Sequence, residues 1–171
     1  NGCGVLAVVD KCVSRIEDID IPDETNILIL DRLQDPGNIG TMIRTSVAAG
    51  YGMVITLKGT ADIYSSKVLR ATAGMIFDVP VVSADGIDDV IAFLHETGRK
   101  IAVTSPVGGV SYYETDLSRG IALVIGNEGN GVSDRVMEAA DLKVTIPMHG
   151  SIESLNAAVS AAILMYETIR R

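Results

Sequence analysis

The residues best suited to chemistry lie in two short stretches of the last third of the chain. Gly126, Asn127, Glu128, Gly129, Asn130 and Gly131 follow the apolar run Ile121–Ile125 with no transition between them. A second apolar run, from Val144 to Ile146, enters a Pro/Gly/Ser stretch that ends at Asn156 and opens into an alanine-rich segment. Each reads as a strand delivering a loop to the start of a helix. Glycines let the main chain approach a ligand closely, and the N–H and C=O groups of such loops need partners. Two such loops at the carboxyl ends of strands are how an open α/β sheet holds a small polar molecule.

Several chemistries are disfavoured at once. The glycines are spaced G-x-x-G-x-G, late in the chain, with no acidic residue about twenty positions on, so this is not the dinucleotide fingerprint. The Gly-Lys-Ser/Thr of a phosphate loop is missing. No Ser/His/Asp or Cys/His set suggests a hydrolase, and no carboxylate cluster suggests a metal, so none is expected. Cys3 and Cys12, with eight residues between them and no nearby histidine, read as two reduced thiols.

The elements that must position these loops can be read from periodicity. Asn26–Asp31 is a continuous apolar run of the kind buried on both faces of a parallel sheet. A turn cluster from Gln34 to Asn38 leads to a helix with Ile39, Met42, Ile43 and Val47 at helical spacing, stopped by Gly50. Further strands are expected at Met53–Leu57, Val79–Val82, Lys100–Thr104, Ile121–Ile125 and Leu142–Ile146. Helices are expected at Ser65–Ala73, Ile87–Thr97, Ser133–Ala140 and Leu155–Arg170, with Ser133 as an N-cap. Tyr112 and Tyr113 begin an irregular link, and Val5–Val9 is a short strand-like run. His95 lies beside the apolar stripe of its helix and reads as structural. Strands alternating with helices indicate an α/β fold, a mostly parallel sheet with helices on both faces. The stripe Leu155, Val159, Ala162, Ile163, Tyr166 and Ile169 serves either an intermolecular surface or the helix's own sheet.

The chain has 171 residues, 47% of them hydrophobic, enough for one domain with a substantial core. No apolar run approaches the length of a membrane span and no charged-then-apolar leader opens the sequence, so a soluble, cytoplasmic chain with no membrane partner is expected. The net charge of −8 argues against a polyanionic partner. Its distribution softens that. Residues 1–24 carry six acidic against two basic residues, a net −4, whereas Asp31–Gly74 carries five basic against three acidic, a net +2. The opening residues read as the end of something rather than a beginning.

Three stretches taken together resemble the motifs of the SpoU, or TrmH-like, branch of the SPOUT RNA methyltransferases. Leu30–Thr45 is similar to the first motif, with Asn38, Gly40 and Arg44 as its Asn-x-Gly-x-x-x-Arg core; Leu123–Val132 and Ile146–Asn156 resemble the second and third. Their order, separation and placement on βα junctions agree from about Asn26 to the C-terminus. The resemblance implies a C-terminal deep trefoil knot, an exception to the rule against threading. It implies a homodimer, S-adenosyl-L-methionine as cofactor, and methyl transfer to a ribose 2′-hydroxyl of RNA, with ribosomal RNA ranked ahead of transfer RNA. It also implies a division of the chain. Residues 1–24 would be the tail of a truncated N-terminal RNA-binding domain plus a linker, and residues 25–171 the SpoU-type methyltransferase domain.

Carried over by position, Gly126, Ile146 and Leu155 are the implied cofactor contacts, largely through main-chain groups, with Thr104, Asn127, Met148 and Ser154 as neighbours in the same loops. Arg44 matches the family's catalytic arginine, and Asn38, Glu128 and Asn156 are its implied orienting partners. A free guanidinium stays protonated in proteins, so a phosphate clamp suits Arg44 better than a base. Two other readings stay open: a non-catalytic knotted RNA-binding or ribosome-assembly factor, which would bind no cofactor, and an unrelated doubly wound nucleotide-binding module, which would respond to ATP or NAD instead.

Overall fold

Among the described residues, seven parallel strands form one sheet in the order β3-β2-β1-β6-β4-β7-β5. They are β1 (Ile27–Asp31), β2 (Met53–Leu57), β3 (Val81–Ala84), β4 (Lys100–Thr104), β5 (Val110–Ser111), β6 (Ile121–Gly126) and β7 (Leu142–Thr145). The helices are α1 (Pro36–Ala48), α2 (Ser66–Thr72), α3 (Ile87–Glu96), α4 (Asp134–Glu138) and α5 (Ala157–Glu167). This computed structural model describes Gly4, Val8, residues 15–152 and residues 154–170. Of the expected Val5–Val9 strand only Val8, which is exposed, is described, and both cysteines lie outside the described residues. Among the described residues, no helix is long and apolar enough to cross a membrane.

β1, β2 and β6 are buried from end to end, as continuous apolar runs in a parallel sheet must be. Ile29 of β1 pairs in register with Ile55 on one side and Val124 on the other. Alternate side chains then feed two cores. Leu28, Leu30, Leu123 and Ile125 point to the layer made by α1, α2 and α5, where Ile39, Met42, Val68, Leu164 and Met165 meet them. Ile27, Ile29 and Val124 point to the opposite layer, closed by Val90, Ile91 and Leu94 of α3 and Val136 of α4. Each such side chain, fully buried, contributes about 1.5–3 kcal/mol relative to exposure.

The helix bounds follow from local chemistry. Asp35 caps α1 by accepting from Asn38 N at 2.7 Å, Pro36 occupies the first turn, and Gly50 at φ 73° follows the end. Gly98 at φ 66° ends α3 in the same way. Asn156 caps α5, its side chain accepting from Ala158 N and Val159 N. α5 therefore begins two residues later than expected. Its buried side is Ala158, Ala161, Leu164 and Met165, while Val159, Tyr166 and Ile169 of the expected stripe are exposed. The core takes the Ala158, Ala161, Leu164 and Met165 face, while Ala162 and Ile163 of the stripe are half-buried.

Two strands differ from expectation. The third begins at Val81 rather than Val79: Pro80 has no N–H to give the ladder, and its carbonyl accepts from Val54 N at 2.9 Å. β5, within the stretch expected to be turn and link, pairs only Val110 with Val144 and Ser111 with Thr145. Ser133 occupies the N-cap position of α4 but makes no side-chain cap. Before the sheet, Ile16, Ile19 and Ile21 pack on the α3 layer. Arg99, 2% exposed, fixes this leading segment by donating to Pro22 O at 2.7 Å and Thr25 O at 3.1 Å.

α1 and α2 meet at Gly40. A Cβ there would stand 2.3 Å from Ala71 Cβ and 2.9 Å from Val68 O, so only glycine permits this approach. Gly40→Val is expected to cost about 1–3 kcal/mol by overpacking, read as a fall of roughly 2–12 °C in melting temperature for a chain of this size. An unchanged melting temperature would mean that the two helices do not meet there.

Candidate active site

The carboxyl ends of β4, β6 and β7 open onto a cavity of about 450 Å³, inside the roughly 300–1,000 Å³ usual for small-molecule sites. Three loops wall it. Thr104 leads in from β4, Gly126 and Asn127 from β6, and Ile146, Met148, Ser154 and Leu155 from the connection between β7 and α5. The structure thus brings all seven residues expected to contact the cofactor to one space. Apolar side chains, among them Ile125, Val144 and Leu164, form much of the lining. Glu128 is its one ionisable side chain among the described residues.

The loop after β6 is closed on itself. Asn127 N donates to Gly131 O at 3.0 Å and Gly131 N to Asn127 O at 2.8 Å. A Cβ on Gly126 would lie 2.3 Å from Gly131 C and Val132 N, so the strand can end against its own loop only as glycine. Asn127 spends its side chain on this shape. Its Oδ1 accepts from the main-chain N–H groups of Gly129 and Asn130, both at 3.0 Å, and its Nδ2 donates to Arg32 O at 2.9 Å. Asn127 therefore builds the site: its side chain and its main-chain N–H are both spent on the shape of the loop.

Asp31 and Arg32, which the motif reading did not single out, fasten this loop to the end of β1. Asp31 is 1% exposed, and its carboxylate accepts from Ser133 N at 2.6 Å and Arg32 Nε at 3.1 Å. Arg32 adopts a left-handed conformation, φ 59°, which few non-glycine residues adopt and which the surrounding bonds hold in place. Its guanidinium also reaches Gly131 O at 3.4 Å. A signal existed in the sequence: a carboxylate ending a wholly apolar strand must be buried with partners. Met137 of α4 and Ser160 of α5 line the cavity too, and no pattern marked them.

A chain of side chains runs from the cavity to α1. Asn156 Nδ2 donates to Asn38 Oδ1 at 3.0 Å, and Asn38 Nδ2 donates to Glu128 Oε1 at 3.1 Å. Three residues expected to act together are joined, with Asn156 doubling as the cap of α5. Arg44 is not joined to them. It lies six residues beyond Asn38 on α1, about 9 Å along the axis by helical rise, and is exposed with no hydrogen bond or ion pair among the described residues.

Asp31→Ala removes the acceptor shared by Ser133 N and Arg32 Nε. The expected cost is about 1–3 kcal/mol for the half-buried Ser133 N–H and Arg32 Nε left without their acceptor, read as a lower midpoint in urea unfolding. A wild-type midpoint would show that the loop is held by other bonds.

The family described as "SpoU rRNA Methylase family" matches residues 25–166. The 23S rRNA (guanosine(2553)-2′-O)-methyltransferase RlmP of Bacillus subtilis is 44% identical over 140 residues, 82% of this chain and 56% of that protein. The chain thus spans just over half the length of that relative. Among solved structures, the SpoU methyltransferase AviRb from Streptomyces viridochromogenes, in complex with the cofactor AdoMet, superposes with a TM-score of 0.86 at 29% identity, covering 92% of this chain and 64% of that one. The AdoMet-bound rRNA methyltransferase from Sinorhizobium meliloti gives 0.87 at 33% identity, covering 93% and 61%. With three motif loops on one sheet edge, a family match over most of its length and structural likeness at this identity, the chain belongs to the SpoU rRNA methylase family.

Proposed function

We propose that this chain binds S-adenosylmethionine in the loop cavity and transfers its methyl group to a ribose 2′-hydroxyl of RNA, ribosomal RNA ahead of transfer RNA. One observation carries the reading: three strand-end loops enclose a single cavity, and the Asn156–Asn38–Glu128 chain links it to α1. The cavity suits the cofactor. Its apolar lining matches a flat base and a thioether chain, its loops offer main-chain donors and acceptors, and Glu128 is opposite in sign to a sulfonium. Among the described residues no cation lines it, so a polyphosphate nucleotide would lack a partner there. The names of the relatives above supply the RNA substrate.

Bound there, the cofactor supplies a methyl carbon made electrophilic by its sulfonium. A ribose hydroxyl is a weak nucleophile near neutral pH, so the protein contributes mainly placement, worth up to roughly 7–11 kcal/mol in ideal cases. Gly126, Ile146 and Leu155 hold the cofactor through main-chain groups, while Thr104, Asn127, Met148 and Ser154 shape the same loops. Asn38, Glu128 and Asn156 orient the sugar. Arg44, with no carboxylate among the described residues claiming its charge, clamps an RNA phosphate and so helps to place the sugar.

The same reading extends to architecture. Residues 25–171 are the methyltransferase domain, and residues 1–24 are the tail of an RNA-binding domain with its linker. The C-terminal segment is threaded as a trefoil knot, in keeping with β7 lying between β4 and β5, both earlier in the chain. The working form is a homodimer in the cytoplasm, and the exposed Val159, Tyr166 and Ile169 support a second copy packing on α5.

Arg44→Ala is expected to lower turnover on ribosomal RNA by about 10²–10³-fold while calorimetric affinity for S-adenosylmethionine holds. Gly126→Val is expected to lose cofactor binding first. Unchanged turnover would remove Arg44 from the mechanism, and RNA binding with no heat from the cofactor would favour a non-catalytic assembly factor. In sedimentation, Val159→Asp with Tyr166→Asp is expected to convert dimers to monomers, and a monomeric wild type would overturn the dimer.

A further inference from the structure

The basic residues of this chain differ sharply in how their charge is used. Arg119 lies 2.7 Å from Glu24, Arg135 2.6 Å from Asp88 and Arg170 2.9 Å from Glu167. Arg99 is buried on carbonyl groups. By contrast Lys58, Lys67 and Arg70 are exposed and, among the described residues, have neither an ion pair nor a hydrogen bond. The acids of the same stretch are engaged by main-chain N–H groups: Asp31 by Ser133, Asp35 by Asn38 and Asp62 by Tyr64. Arg15 and Lys143 are also exposed with neither among the described residues, but lie away from β2 and α2 in the sequence, and Lys100, next to the buried Arg99, acts electrostatically on Asp116.

One end of this group is linked to the cavity loop through Arg32. Lys58 and Gly59 follow β2 at the sheet edge that carries the three loops. Gly59 lies against the Arg32 side chain and accepts from Gln34 Nε2, and Arg32 in turn reaches Gly131 O on the cavity loop. α2 lies flush on α1 through Gly40, two residues after Asn38. Lys67 and Arg70, three apart on α2, share a helix face. After α2, Ala73 and Gly74, both left-handed at φ 52° and 90°, turn the chain into a short 3₁₀ segment bearing Phe77, which is 70% exposed.

We infer that Lys58, Lys67, Arg70 and Phe77 form a track that leads a single strand of the substrate RNA to the cavity. The cations meet backbone phosphates, and the Phe77 ring stacks on an unpaired base. Charge complementarity selects this occupant: on a chain of net charge −8 a polyanion is repelled from most surfaces, and this stretch holds unclaimed positive charge beside an exposed aromatic. Cations alternating with an aromatic platform are how proteins hold single-stranded nucleic acid. The track rests on the proposed RNA substrate and extends it from the reacting sugar to the flanking strand.

The test uses the full 171-residue chain and a short labelled single-stranded RNA of mixed sequence, with binding followed by anisotropy across a potassium chloride series. Lys58→Gln, Lys67→Gln and Arg70→Gln together are expected to weaken binding at least about tenfold and to flatten the slope of log K against log salt by about 2, three phosphate contacts at roughly 0.7 each. Phe77→Ala is expected to weaken binding about fivefold or more with the slope unchanged. Lys67→Arg, which keeps the charge, should bind as wild type, and S-adenosylmethionine affinity should be the same in every variant. Wild-type affinity and slope in the triple variant would overturn the track, as would failure of the unaltered chain to bind this RNA. A change of sedimenting mass in the triple variant would overturn it too, by assigning the face to a second copy. Loss of cofactor binding by the unaltered chain would instead sink the methyltransferase reading and leave the track standing.

Discussion

A buried carboxylate at the end of β1 is the constraint on which the site depends. Removing a charge from water costs several kcal/mol unless it is paired and hydrogen-bonded, so Asp31 at 1% exposure must have partners wherever the chain can supply them. It takes one from its own neighbour, Arg32, and one from Ser133, 102 residues later. The second ties the far end of the glycine loop to β1, and the loop's near end is already fixed by β6 pairing with β1. With both ends tied, Gly126 to Ser133 has little freedom. A loop that would otherwise need ordering by its ligand is ordered beforehand, so less conformational entropy is lost on binding.

The same economy recurs at Asn127 and Asn156. Asn127 satisfies three loop donors with one oxygen and the Arg32 carbonyl with its amide. Asn156 caps α5 with its oxygen and reaches Asn38 with its amide. In both cases the two ends of an amide join pieces that the sheet alone would leave independent. A carboxylate could accept at one end but could not donate at the other. That is why asparagine, rather than aspartate, suits both corners.

These facts also explain what could be read from the sequence. β1, β2 and β6 were legible within a residue because a strand buried on both faces has to be largely apolar, and β4 because Ile101, Ala102 and Val103 form a buried run between Lys100 and Thr104. The ends of α1 and α3 were legible because Gly50 and Gly98 mark them chemically, but the first turn of α1, Pro36 to Asn38, lies in what reads as a turn cluster, its cap Asp35 showing only in the structure. β5 was not, since a strand of two residues has no period to detect. α5 gave its existence but not its orientation: apolar residues lie all round it, and packing, not pattern, chose Ala158, Ala161, Leu164 and Met165 for the core. At the site, the two loops stood out by glycine content, and resemblance grouped their residues with Asn38. The contact from Asp31 to Ser133 spans too much chain for any local pattern to signal it, and the separation of Arg44 from the Asn156–Asn38–Glu128 chain is a fact of helix phase. Six residues on an α-helix turn a side chain about 120° away from where it started.

That separation gives the proposed reaction its spatial logic. A sulfonium cofactor and an RNA strand carry opposite charge, and one surface cannot favour both. The cavity is walled by apolar and neutral polar groups with a single carboxylate, Glu128, and no cation among the described residues. Arg44 on α1, Lys58 on the loop after β2, and Lys67 and Arg70 on α2, all exposed and unpaired among the described residues, lie outside it. Asn38 stands between the two regions, neutral, with a donor to Glu128 and an acceptor for Asn156. A neutral amide at that junction separates the carboxylate from an incoming phosphate. On this arrangement each substrate is held on a surface of suitable charge, and the two meet only where the sugar oxygen enters the cavity.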